Sequence, residues 1–177
     1  MNFERVQAGS VCGVDTHDWK VFDRILRDIQ YIDSWEVVDP FARNCPLAKK
    51  WSNDLNPTTA ARFHNDASEW LPTVPSSIAD LVIFDPPFSA IQAERKYGEH
   101  INIYNQPHII PDMMLEINRI LKPSGLLVKF GYNSTRHLKT LEFVKGYLVN
   151  FGGLRNDVIV TVWKKNQTSI LEWGGEE

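Results

Sequence analysis

The sequence predicts an α/β chain, a mostly parallel sheet with helices on both faces. Three observations carry this. Ala79-Asp80-Leu81-Val82-Ile83-Phe84 is a short run that is apolar on both faces, as expected of a central strand in a parallel sheet. Trp35-Glu36-Val37-Val38-Asp39-Pro40 reads as a second strand ending in a tight acidic-proline turn, the opening of a βαβ unit. Around these strands lie segments with helical 3-4 spacing of apolar residues, at 19–32 and 107–121.

Composition bounds the reading. The 177 residues are 43% hydrophobic and 23% charged, which suits a single globular domain over 1–177 with a proper core. A net charge of −3 supplies no global positive field, so any polyanion must be held by a local basic patch or by a partner. Cys12 and Cys45, and the scattered His17, His64, His100, His108 and His137, show no metal-ligand spacing. No metal is expected. No leader-like start and no apolar run of membrane-spanning length is present, so the expected location is the cytoplasm, with no membrane partner.

In order, residues 1–15 read as an N-terminal arm. Trp19, Phe22, Ile25, Leu26, Ile29 and Ile32 mark one face of a packing helix. After the Asp39-Pro40 turn, Cys45 to Trp51 reads as a helix, and Asp54 follows a short second strand. Pro57 suits the first turn of a helix, and Asn65 or Asp66 suits the N-cap of the next one. Residues 88–107 are polar with little pattern, which suggests a substrate loop beside the site. Within it Arg95 and Lys96 could touch phosphate, and Tyr97 and Tyr104 could stack on bases. Pro107 to Leu121 is helical. Pro123-Ser124-Gly125 is a turn into a buried strand that ends near Phe130. Thr135 to Val144 reads as a helix, Tyr147 to Phe151 and Val158 to Trp163 as paired final strands, and 167–177 as a flexible tail.

The chemistry concentrates where the central strand stops, at Asp85-Pro86-Pro87-Phe88. Two prolines have no N–H and fix φ, so the turn is rigid. It presents a carboxylate, fixed carbonyls and an aromatic ring at the carboxyl end of a strand, where open α/β sheets bind ligands. Such a tetrad suits methyl transfer to an exocyclic amine. The Asp85 carboxylate and the Pro86 carbonyl would hold the two N–H groups of the amine and free its lone pair. Phe88 would stack on the base, and alignment would supply the rest. The same residues would also suit a plain Asp-Pro-Pro surface turn capped by Phe88.

The tetrad resembles the [DNS]-P-P-[YFW] motif of amino-methyltransferases that use S-adenosylmethionine. Asp39-Pro40-Phe41-Ala42 resembles their cofactor turn, D-P-F-x-G-x-G, but Ala42-Arg43-Asn44-Cys45 stands where the glycines would be. Leu121-Lys122-Pro123-Ser124-Gly125 resembles the "LKPGG" passage into the fifth strand. The resemblance spans roughly 36–165. It implies a Rossmann-like class I methyltransferase fold with a seven-stranded, mostly parallel sheet whose last strand is reversed. It also implies S-adenosylmethionine as cofactor, beside Asp39, Pro40, Phe41, Ala42 and Asp85. Asp54 with Leu55 would sit at the ribose, and Asp66 with Ala67 at the adenine ring. Asp85, Pro86, Pro87 and Phe88 would be catalytic, with Phe88, Arg95, Lys96 and Tyr97 on the substrate. The overall pattern is similar to small phage-type DNA N6-adenine methyltransferases. That makes nucleic acid the expected partner, DNA before RNA, with a homodimer or a partner subunit as a further expectation. The alternatives are an RNA base methyltransferase (N2-guanine or N6-adenine), protein glutamine methylation, and a non-catalytic methyltransferase-fold subunit that binds a partner.

Overall fold

A computed structural model of the chain describes residues 3–7, 16–97, 107–134, 138–150 and 156–167. Among them are strands β1 (Phe3–Gln7), β2 (Val37–Asp39), β3 (Trp51–Ser52), β4 (Ala79–Phe84), β5 (Leu121–Gly131), β6 (Leu141–Asn150) and β7 (Val158–Lys165). The helices are α1 (Lys20–Asp28), α2 (Ala67–Trp70), α3 (Ala90–Tyr97) and α4 (Ile109–Ile120). The strands form one seven-stranded sheet in the order β1-β6-β7-β5-β4-β2-β3. Only β7 runs antiparallel to its neighbours, β5 and β6; every other pairing is parallel. The expected fold class is therefore observed.

Alternation along the strands builds two cores, one per face. Val38, Val82, Phe84 and Leu127 face α2 and α4, whose Trp70, Met113, Met114, Ile117 and Ile120 close that layer. Val37, Leu81, Ile83 and Val128 face the other way, against Phe22 and Ile25 of α1. The period of two in each strand and the 3-4 spacing in α1 and α4 are thus satisfied together.

Several local expectations fail for physical reasons. The N-terminal arm is partly a strand, because β1 pairs in parallel with β6 from Phe3↔Gly146 to Gln7↔Asn150. Helix α1 ends at Asp28, and Gln30 takes a left-handed φ of 55° that breaks the spiral. Ile32 is left 54% exposed as a result. Residues 45–50 form bends instead of a helix, Trp51 opens β3, and Pro57 opens a turn. Asp66 does cap α2, accepting from the Ser68 N–H at 2.8 Å. The 88–107 stretch is helical over Ala90–Tyr97; residues 98–106, with Tyr104, lie outside the described residues. Of the helix expected over Thr135–Val144, 138–140 are not helical and β6 begins at Leu141; 135–137 lie outside the described residues. Most of the predicted tail, 168–177, also lies outside them.

Candidate active site

Parallel register carries four charged side chains to the carboxyl ends of four adjacent strands. Val38 pairs with Val82 and Asp39 with Ser52. Asp39 therefore ends β2 one step past Val82's level, while Asp54 and Asp85 lie just beyond β3 and β4. On the other side of β4, Phe84 pairs with Lys129 of β5. Across the sheet the order is Asp54, Asp39, Asp85, Lys129. Three acids share one side and an ammonium sits on the other.

Asp39 is 2% exposed and accepts the Phe41 N–H at 3.0 Å. Burial holds its carboxyl well above the usual carboxylate range. The Phe41 N–H opposes this, and the nearby charges of Asp85 and Asp54 reinforce it. Asp54 is wholly buried and accepts the N–H groups of Asn56 at 2.9 Å and Arg43 at 3.2 Å. The Tyr97 hydroxyl, which burial and the Asp54 charge keep protonated, donates to the same carboxylate at 3.3 Å. Asp85 accepts the Thr16 hydroxyl at 2.7 Å. Each of these two carboxylates thus carries a hydroxyl from elsewhere in the chain.

The turn after β2 shows how the missing glycines are accommodated. Arg43 adopts φ 47°, the left-handed conformation glycine would take freely, and its N–H reaches Asp54 in that conformation. Asn53, fully buried, stitches the same region together. Its side-chain amide donates to Pro40 O at 3.2 Å and Asn65 O at 3.0 Å, and its amide oxygen accepts the Asn65 N–H at 3.0 Å. The strand that would continue the sheet outward from β3 is reduced to a single bridge, Asn53↔Phe63.

The predicted residues gather around two small recesses. Pro40, Phe41, Leu55, Asp66 and Ala67 line one, together with Asn53 and Tyr97. Asp39, Phe41, Ala42 and Asp85 line the other, with Thr16 and Arg43. Each encloses only about 10 Å³. Beyond the proline turn lies a third, roomier cavity of about 130 Å³, lined by Pro86, Phe88, Ile110, Lys129, Tyr132 and Asn133 among others. The Phe88 ring meets Tyr132 edge-on at 5.1 Å, and Gln92 accepts the Phe88 N–H at 2.7 Å, which fixes the turn to the start of α3.

Two expected substrate contacts do not gather here. Arg95 is exposed on α3, and the side chain of Lys96 lies outside what the structure describes. Tyr97 turns to the Asp54 side and not toward the proline turn's far cavity. Lys129 and Tyr132 escaped the sequence reading; of these only Lys129 carries a signal, as a charge inside the apolar run Leu126 to Phe130.

No protein-family model matches the sequence, and no curated protein is similar to it. Solved structures do match. One is yhhF from Escherichia coli, assigned as a methyltransferase, with TM-score 0.56 and 10% identity over 90% of each chain. The protein has a methyltransferase fold. Another match is TrmN from Thermus thermophilus, with TM-score 0.55 and 17% identity over 81% of this chain. The matched region is 47% of TrmN, so the chain spans about half of that protein's length.

Proposed function

We propose that this protein is an S-adenosylmethionine-dependent methyltransferase acting on the exocyclic N6 amine of adenine in DNA. The observation that carries the reading is the place of Asp85-Pro86-Pro87-Phe88. The turn separates an acid-lined recess, which Asp85 shares with Asp39, from a cavity of about 130 Å³ lined by Pro86 and Phe88. A cationic methyl donor on one side and a flat heterocycle on the other would meet at Asp85.

The residues present fit such a donor. Asp39, Asp54 and Asp85 form an acidic, largely dehydrated cluster suited to a ligand bearing sulfonium and ammonium charges. Asp54, which now accepts the Tyr97 hydroxyl, equally suits a ribose hydroxyl. The polar and apolar rim of Asn53, Leu55, Asp66 and Ala67 suits an adenine edge and face. When bound, S-adenosylmethionine supplies an activated methyl group on sulfur.

Asp85 and the Pro86 carbonyl would hold the amine N–H groups, so that the lone pair points at the methyl carbon. Held beside Asp39, Asp54 and Asp85, the donor would supply the methyl group and keep the C–S electron pair as a neutral thioether. Asp85 would accept the proton that the methylated amine gives up. Phe88, steadied by Tyr132, would stack on the base. The amine of a paired adenine is out of reach within a duplex, so the base must be flipped out or presented on a single strand.

The test is transfer of labelled methyl from S-adenosylmethionine to unmethylated single- and double-stranded DNA, beside total RNA, with nucleoside analysis. N6-methyladenine in DNA is the expected product. Label in RNA guanine would keep the mechanism and replace the substrate. No label anywhere, together with no cofactor-induced thermal shift, would leave the non-catalytic subunit.

A further inference from the structure

Lys129 is the buried ion that the mechanism above does not use. It is 6% exposed, at the carboxyl end of β5, between Phe84 of β4 and Thr161 of β7. A lysine in such a position loses hydration that is costly to replace. Its ammonium donates to the side-chain oxygen of Asn133 at 3.0 Å, and both residues line the cavity that Pro86 and Phe88 share. Burial alone draws its pKa down to about 8. Among the described residues lining that cavity, Tyr132 is the only other titratable group, and none is a carboxylate. Asp85 belongs to the recess on the other side of the turn.

Resting on the reading above, we propose that Lys129 is a specificity-determining residue of this cavity. Its ammonium donates a hydrogen bond to the ring nitrogen that flanks the exocyclic amine of the target base. The chemistry selected is an aminated heterocycle with an acceptor next to the amine, as in adenine N6 with N1 or N7. A thymine, which has neither the amine nor the flanking lone pair, is refused. Asn133 orients the ammonium, and the apolar walls of Pro86, Phe88 and Ile110 keep water from competing for it.

Atom replacement in the substrate tests this without altering the protein. Oligonucleotides carrying adenine, 1-deazaadenine or 7-deazaadenine at the methylated position are compared by KM and kcat; 3-deazaguanine takes their place if the substrate is RNA guanine. Loss of the contacted nitrogen is expected to raise KM roughly ten- to a hundredfold with wild-type protein. Lys129→Met should show the same rise with the unmodified base and no longer distinguish the deaza analogues. Both Lys129→Met and Lys129→Gln should keep wild-type binding of S-adenosylhomocysteine, which reports an intact fold. Wild-type KM should rise above about pH 8 as the ammonium deprotonates, and Lys129→Arg should flatten that rise. Lys129→Met and Lys129→Gln with wild-type KM and intact analogue discrimination would overturn the inference and leave the methyltransferase reading standing. Absence of transfer by wild-type protein to any DNA or RNA would overturn both.

Discussion

Asp39→Asn should make the protein more stable and less able to load its cofactor. The carboxyl is 2% exposed and lies close to two other acids. Its folded-state pKa is raised, so the native state binds this proton more tightly than the unfolded chain does. The group's favourable contribution is complete below the unfolded value of about 3.9 and is lost as pH rises through the folded pKa. Near neutral pH the burial of this acid therefore works against the fold. Every tenfold gain in proton affinity on folding corresponds to about 1.4 kcal/mol, and a gain of 1 kcal/mol moves the midpoint of a chain this size by about 2–4 °C. Asparagine keeps the oxygen that accepts the Phe41 N–H, so a rise of a few degrees is expected at about pH 7.5, shrinking toward pH 4. The same change removes a carboxyl that a bound cation would draw into its ionised form, and S-adenosylmethionine should bind at least tenfold more weakly. Thermal melts over pH, with and without cofactor, give both quantities. A variant that melts lower than wild type at every pH and binds cofactor normally would refute the electrostatic account of this site.

Asp85→Ala should abolish methyl transfer in the labelled-methyl assay even at saturating cofactor; full activity would sink the mechanism. Tyr97→Phe removes the hydroxyl that occupies Asp54, and cofactor affinity should improve by up to about tenfold, the worth of one hydrogen bond to a charged group. Arg43→Gly relieves a left-handed backbone at φ 47° but adds chain entropy to the unfolded state. The midpoint should change by less than about 3 °C, and titration should show tighter cofactor binding as the turn closes on its ligand. Gly125→Ala would set a Cβ 2.9 Å from the carbonyl oxygens of both Ala79 and Lys122. Neither backbone can yield freely, and urea unfolding should report a loss of about 1–3 kcal/mol.

What could be read from the sequence followed from how locally each element is determined. β4 was plain because its apolar residues face two cores, and its end was plain because two prolines halt it. Helix α4 was plain for the same reason, its periodic face being complete within one segment. β1 was not, since Phe3 to Gln7 carry little pattern of their own and become a strand by pairing with β6. β6 misled: Leu138, Leu141 and Val144 fall at helical spacing, yet Leu141, Tyr147 and Val149 are buried as strand residues beside β7. Residues 45–51 offered only Leu47, Ala48 and Trp51 as a helical face, too little to hold one, and Trp51 is taken into β3. In the site, Asp39 and Asp85 sit in motifs that name themselves. Thr16 and Tyr97 reach Asp85 and Asp54 across long stretches of chain, so spacing could not have placed them.

The two borrowed hydroxyls also set a clock. With Thr16 seated on Asp85 and Tyr97 on Asp54, the acid-lined recesses hold about 10 Å³ each. Any ligand that takes the place of those hydroxyls on the carboxylates must arrive while they are displaced. Its apparent dissociation constant is then the intrinsic one divided by the fraction of molecules in that opened state. Its association rate falls below the diffusional value by a similar factor. Occupancy at this site is thus governed by how often two side chains let go, as much as by how well the ligand fits once inside.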